Sequence, residues 1–434
     1  MLLFTLIFTY LFVNIVKQMG KGILTVGKLV LTNTTSNQDA VDRLRVSNPS
    51  TIFENLSVGA DAKNPLLINE IVTGAATSTS VPADSYIAMA TTNTGGRVVR
   101  QSKAYIVYQP GKSKMILCSG VFEISGGQAG VVSRIGAFDD EDDQVTNPLG
   151  GEGFFFELNG TTMNVVHRKD QVDTVVAQSS WNFDTFDGSG PSRITITTWD
   201  VAFLIVIDQQ WLGVGQVRLG LFIDGVINYA HIFNFSSTLK LPYTRTAKLP
   251  IRYEIESVSG GVTPSEMRMM AQSVLCEGIP SSIYPQFNAS VNKTVVFASV
   301  PEPLISLRLK STFNRVTLRL VNITIFQVSG PSHVIEVLLN PTTLTGASFV
   351  SAGANSAAEI DTSATVATGG TLIGTIPIPG ATVLPTTMGN SSPLFDINSD
   401  IAGTSDIITC NLSATLSGST DPNDLVVMNW IEIS

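Results

Sequence analysis

The sequence predicts an all-β chain: two β-sandwich domains, jelly-roll or concanavalin-like, preceded by an apolar N-terminal segment and an arm. Three observations predict it. Apolar runs are short and rich in β-branched residues, as in Val201–Ile207, which suits strands buried on both faces better than helices. Turn signals recur at roughly the 8–12-residue spacing of sandwiches and barrels. Asp224-Gly225, between two strand-like runs, is the strongest of them, because such a turn needs φ > 0 at both centres. The 434 residues are 44% hydrophobic but only 14% charged, against about 25% charged in an average soluble domain. Sparse charge with abundant Ser, Thr, Asn and Gly fits hydroxyl- and amide-rich strand faces, or surfaces hidden against neighbours.

In chain order, Met1–Val16 is almost wholly apolar and is closed by Lys17. A spanning helix needs about 20 residues, with a lower limit near 17. No Lys or Arg precedes the run and no small-residue cleavage site follows it, so it does not read as a signal peptide. Residues 1–18 read as a short membrane anchor or a helix buried in partner subunits; an extension upstream of a start at Met19 is the third reading. Residues 19–60 read as arm and linker, with a turn at Asn48-Pro49. The first sandwich takes residues 61–284. Its predicted strands include 104–108, 131–138, 154–158 running into Asn159-Gly160, 172–177 and 194–198. Its predicted core includes Trp211, Leu219 and Leu221. Pro264–Val274 is the one predicted helix, with Pro in its first turn and Met267, Met270 and Ala271 on one side. Ile279–Pro285 reads as a linker. Beyond it charge thins and Thr, Ser, Gly and Ala increase, so residues 285–434 are predicted to form the second sandwich.

The chemistry-bearing residues point away from catalysis, and no catalytic, cofactor-binding or metal-binding residue is assigned. The chain reads as no enzyme. A net charge of −9 leaves no basic excess to displace counterions, so nucleic acid is not an expected partner. Cys118, Cys276 and Cys410 lie far apart without a CxxC and read as buried free thiols. His167, His231 and His333 are equally scattered. Asp139–Asp143 could offer oxygens to calcium but lacks the spacing of an EF-hand loop, and reads as a solvated loop. Glu152 and Glu157 are the carboxylates a glycoside hydrolase would need, yet Glu157 sits in an alternating strand where its side chain reads as solvent-facing. Gly213-Val-Gly215 precedes a strand and is too short for a nucleotide loop. The N-x-S/T sequons, Asn55 and Asn411 among them, are weak signals in so Thr/Ser/Asn-rich a chain.

Several segments carry a resemblance. They are Asp42–Glu54 (DRLRVSNPSTIFE), Tyr108–Lys114 (YQPGKSK), Arg134–Asp140 (RIGAFDD), Gly153–Thr161 (GFFFELNGT), Trp181–Asp184 (WNFD), Asp187–Ser192 (DGSGPS), Trp211–Gly220 (WLGVGQVRLG) and Leu249–Ile255 (LPIRYEI). In the second half they are Leu344–Thr365, Gly369–Thr371 and Asn429–Glu432 (NWIE). Over residues 40–434 the chain resembles a family of β-rich virion structural proteins of tailed phages and some large DNA viruses. The resemblance implies a structural, non-enzymatic role in the virion, as a minor capsid, fibre or tail component. It implies other virion structural proteins as partners, and supplies no catalytic residues. Low-charge surfaces suit repeated assembly, because charge is depleted at interface cores. A closed homo-oligomer is expected, a trimer being the cyclic order chosen. Membrane contact through residues 1–16 lies outside the pattern. The alternative is a carbohydrate-binding, lectin-like surface or receptor-binding protein, holding a glycan through exposed aromatics such as Trp181 or Trp199.

Overall fold

The computed structural model describes residues 24–25, 28–29, 38–39, 45, 48–59, 62–92, 94–140, 150–259, 264–278, 284–294, 301–313, 315–380, 385–388, 395–415 and 422–433. The apolar segment Met1–Val16 and residues 141–143 of the acidic run lie outside the described residues. Among those described there are strands and short 3-10 turns, and no α-helix. The chain is all-β and built of sandwiches.

The first sandwich packs two antiparallel sheets. One has seven strands, in the order Val172–Ala177, Thr162–Lys169, Gly153–Asn159, Val131–Phe138, Ile251–Ser257, Arg97–Ser102 and Ile68–Thr73. The other runs Val226–Asn234, Gln216–Ile223, Phe203–Gln209, Lys114–Val121, Ser265–Glu277, Tyr86–Thr91 and Ala76–Val81, with Pro49–Leu56 also paired to Ser265–Glu277. Period-two alternation decides what faces the core. Phe154, Phe156 and Leu158 point between the sheets, while Phe155 packs on Phe138 on the outer face, ring centroids 4.3 Å apart. Pro49–Leu56 lies in the stretch read as arm, yet it is a strand of this sandwich.

The expected helix at Pro264–Val274 is instead the thirteen-residue strand Ser265–Glu277. Its methionines satisfy either period, and pairing on both sides settles the matter. Lys114–Val121 runs along one edge, and Tyr86–Thr91 followed by Pro49–Leu56 along the other. Met267 and Met269 are fully buried, whereas Met270 is half-buried. Residues 104–108 and 194–198 are not strands either; each keeps a single bridge, at Ile106 and Thr195. Asp224-Gly225 does join two strands, with φ of +54° and +80°, and Leu219 and Leu221 are fully buried. Trp211 is only half-buried, at the rim of the core, its indole N–H donating to Thr244 Oγ1 at 3.0 Å. The turn near Asn159 falls one residue later than its sequence signal: Asn159 pairs with Thr162, leaving Gly160-Thr161 between them.

The second sandwich also has two antiparallel sheets. Gln286–Thr294, Asn423–Ile433, Thr317–Ser329 and Thr386–Met388 form one, with Phe395–Ile397 beside Thr317–Ser329. The other runs Val350–Ser351, Ala358–Asp361, Glu302–Leu309, Ile407–Thr415, His333–Leu339 and Thr371–Ile378. Its core centres on Trp430, Met428, Leu320, Ile323 and Ile335.

Candidate functional site

The two sandwiches are clasped together just past the Val131–Phe138 strand. There Asp139 is fully buried, not solvated as its run suggested. The backbone N–H groups of Gly151 and Glu152 donate to its Oδ1 at 2.9 and 3.0 Å. The Tyr105 hydroxyl donates to Oδ2 at 3.3 Å, and so does the guanidinium of Arg315 from the second sandwich. Arg315 also lies over the Tyr105 ring, 4.9 Å from its centroid. Burial pushes the Asp139 carboxyl up, and this outweighs the downward pull of Arg315 and the backbone donors. A second crossing joins Lys103 to Asp406 at 3.0 Å, with Asn340 Nδ2 on the same carboxylate at 2.8 Å.

Beside these crossings the sandwiches leave a crevice of about 950 Å3. Phe53, Glu54, Leu66, Leu67 and Lys103 form one wall; Tyr284, Arg319, Phe395 and Asp396 form the other. Register places Arg319 opposite Asp396 on neighbouring strands. Their pair is bidentate, Nε to Oδ1 at 2.7 Å and Nη2 to Oδ2 at 2.8 Å. The Asp396 hydrogen bond raises the Arg319 pKa over the opposing effect of burial, and Tyr284 adds to the rise.

A ladder of charge covers the outer face of the seven-stranded sheet. Arg134 donates to Glu157 at 2.9 Å and to Glu254 at 2.7 Å. Arg252 donates to Glu254 at 2.9 Å, Gln101 at 3.1 Å and Asp140 at 2.5 Å. Burial pushes the Glu254 carboxyl up, but Arg252, Arg134 and Arg97 together hold it far below the usual range. Glu157 is therefore buried in an ion pair, not solvent-facing. Glu152 is buried too, taking the Arg245 Nε at 2.5 Å and the Asp170 N–H at 2.9 Å. Both carboxylates are committed to structural pairs.

Trp181 and Trp199 are 5% and 4% exposed, so neither offers a ring to a glycan. Trp181 packs edge-on against Phe156 and Phe186, and Trp199 against Phe122. The three thiols are free and buried, with burial pushing Cys118 and Cys410 up to about 12. His167 stacks on Phe154 at 4.7 Å and bonds the Tyr243 carbonyl at 2.9 Å. His231 accepts the Asn182 N–H at 3.2 Å. Burial lowers both histidines to about 4. His333 sits beside Asp424 at 2.8 Å in the second sandwich. Among the described residues, no group of three or more His, Cys, Asp or Glu side chains could hold a metal ion. Gly213 has φ +78° in the loop before Gln216–Ile223, where its carbonyl accepts the Tyr243 N–H at 2.8 Å.

Sequence reasoning passed over Asp208, the centre of the arm's attachment. It is fully buried and takes the guanidiniums of Arg45 and Arg218, the Ser113 hydroxyl at 2.5 Å and the Tyr229 hydroxyl at 3.0 Å. Arg45 also donates to Glu277 and to the Gln38 carbonyl, each at 3.1 Å. An Asp that ends an apolar run was the available signal. Described residues of the quoted sequence motifs are likewise tied into the scaffold. Glu432 of NWIE, for instance, takes the Ser356 hydroxyl at 2.6 Å and the Ala357 N–H at 2.8 Å.

No family model matches the chain, and no curated protein does. Solved structures similar to it include a legume lectin-like domain from Entamoeba histolytica, 9% identical with a TM-score of 0.31, covering 54% of this chain and all of that one. A carbohydrate esterase from the Shiga toxin-encoding bacteriophage phi24B is 10% identical with a TM-score of 0.33, covering 53% of this chain and all of its own. Peanut lectin is 12% identical with a TM-score of 0.31, covering 54% and 100%.

Proposed function

We propose that the chain is a virion structural protein, a minor capsid or surface component that acts by packing against neighbouring proteins and copies of itself. The observation that carries this reading is the contrast between interior and edge. Inside, the weighed carboxylates are spent on guanidiniums and backbone N–H groups. At the edge of the seven-stranded sheet, Val172–Ala177 has no strand on its outer side among the described residues. Val172 and Val175 there are 69% and 52% exposed. An open edge bearing aliphatic side chains is a template for pairing with another chain. The motif resemblance supports the same reading, and the clasp through Asp139 supports the two sandwiches working as one unit. The carbohydrate-binding alternative loses Trp181 and Trp199 as its handles.

Quantitative mass spectrometry on purified particles, with mass measurement on the isolated protein, tests the proposal. A fixed copy number in the particle and a closed oligomer, a trimer, are expected. Val172→Lys with Val175→Lys should weaken incorporation while leaving the fold intact. Absence from the particle, together with an isolated protein that stays monomeric, rejects it.

A further inference from the structure

We propose that the crevice between the two sandwiches is a binding site for a neutral carbohydrate. This does not rest on the assembly reading, since particle copy number is indifferent to it. The crevice, about 950 Å3, lies near the top of the range of roughly 300–1,000 Å3 for small-molecule sites, and such sites concentrate at domain junctions. The ion pairs Asp139–Arg315 and Lys103–Asp406 join the two sandwiches that form its walls.

Three features of the walls select the ligand. Rings come from both sides, Phe53 from the first sandwich and Tyr284 and Phe395 from the second, each half-buried with part of its surface open. The C–H faces of a pyranose pack on such surfaces. Among the rings stands the Arg319–Asp396 pair, with side chains 37% and 35% exposed. Arg319 uses two of its five N–H groups on Asp396. The remaining donors and the outer lone pairs of the carboxylate sit side by side, an arrangement that fits adjacent hydroxyls. A purely apolar ligand would strip water from this pair and return no hydrogen bond. The two cations of the lining are already engaged, Arg319 with Asp396 and Lys103 with Asp406, so the walls offer no free positive charge to an acidic ligand, and a neutral polyhydroxyl ring suits them best.

The full chain is applied to an array of neutral and acidic oligosaccharides, and retained glycans are followed by saturation-transfer NMR and titration. Retention of a neutral glycan is expected. Phe395→Ala, which removes a ring, and Leu67→Trp, which fills the crevice, should each weaken binding at least tenfold at unchanged melting temperature. Val175→Ala, at the remote sheet edge, should bind as the parent does. If either crevice variant melts early, Arg319→Gln supplies the reading, with the same tenfold loss expected. No retention above background, retention of acidic glycans alone, or binding that survives both Leu67→Trp and Arg319→Gln overturns the proposal.

Discussion

Replacing Asp139 by Asn separates the clasp's charge from its shape. An amide keeps an oxygen for the Gly151 and Glu152 N–H groups. Its NH2 then faces the Arg315 guanidinium and the Tyr105 hydroxyl, where the carboxylate had accepted from both. Arg315 stays buried and loses the Asp139 carboxylate. Removing one partner of a buried pair costs about 3–5 kcal/mol. At roughly 2–4 °C per kcal/mol for a domain of this size, melting should fall by about 6–20 °C. The transitions of the two sandwiches should also separate, because the clasp is one of two ionic crossings between them among the described residues. Asp139→Asn with Arg315→Met should recover much of the loss, since no unpaired ion remains. Calorimetry and urea titration of both single variants and the double give the coupling, expected above about 1 kcal/mol. A single variant melting within about 2 °C of the parent, or a double variant worse than additive, refutes the reasoning.

Arg45→Ala should cost about 1.5–3 kcal/mol through its lost bonds to buried Asp208, as read by urea titration; a variant as stable as the parent argues against this attachment. Lys114 is buried, its ammonium against the Ala247 and Ile106 carbonyls and near the Cys276 thiol, and burial drops its pKa to about 7. Its folded value lies below the unfolded one, so it penalises folding increasingly as pH falls from about 10.4 towards 7. Lys114→Met should therefore raise stability at neutral pH, on the order of 1–4 kcal/mol; a less stable variant counts against this. The histidines give opposite slopes. His167 and His231 have lowered values, so the first sandwich should lose stability as pH falls from about 6.5 to about 4. Burial lowers His333, but Asp424 and the Pro331 carbonyl raise it further, so its contribution is full below about 6.5 and fades as pH rises through the higher folded value. His333→Asn should abolish the second slope alone, as read by urea midpoints across pH.

Local chemistry was legible in the sequence where a turn is made by its own residues. Asp224-Gly225 carries its φ > 0 requirement in its two residue types, and the structure places it at the hairpin tip. Strand against helix was not legible at Ser265–Glu277, because three methionines within four residues suit both periods. Its assignment depends on partners about 150–220 residues away. Burial of Trp181 and Trp199 was equally hidden, since both lie in turn-rich stretches whose path over the core follows from the sheets. The charge pairs are illegible for the same reason. Nothing near Asp139 in sequence names Arg315, and no local pattern distinguishes Glu157 facing Arg134 from Glu157 facing water. The crevice belongs to neither sandwich, so no single segment could announce it.

The strand Ser265–Glu277 has a consequence for biogenesis. Phe53 pairs with Val274, a separation of 274 − 53 = 221 residues. Such a pairing forms slowly, because loop closure precedes the contact that rewards it. On the ribosome, synthesis at roughly 5–20 residues per second puts about 11–44 s between the two partners. During that interval Pro49–Leu56 is an unpaired segment that follows the apolar residues 1–16 in the chain, available to chaperones, to a membrane or to another nascent copy. Once Ser265–Glu277 emerges, it claims Pro49–Leu56 and supplies Glu277 to Arg45. Late arrival of one strand thus acts as a timer, holding the front of the molecule open until the first sandwich is nearly complete.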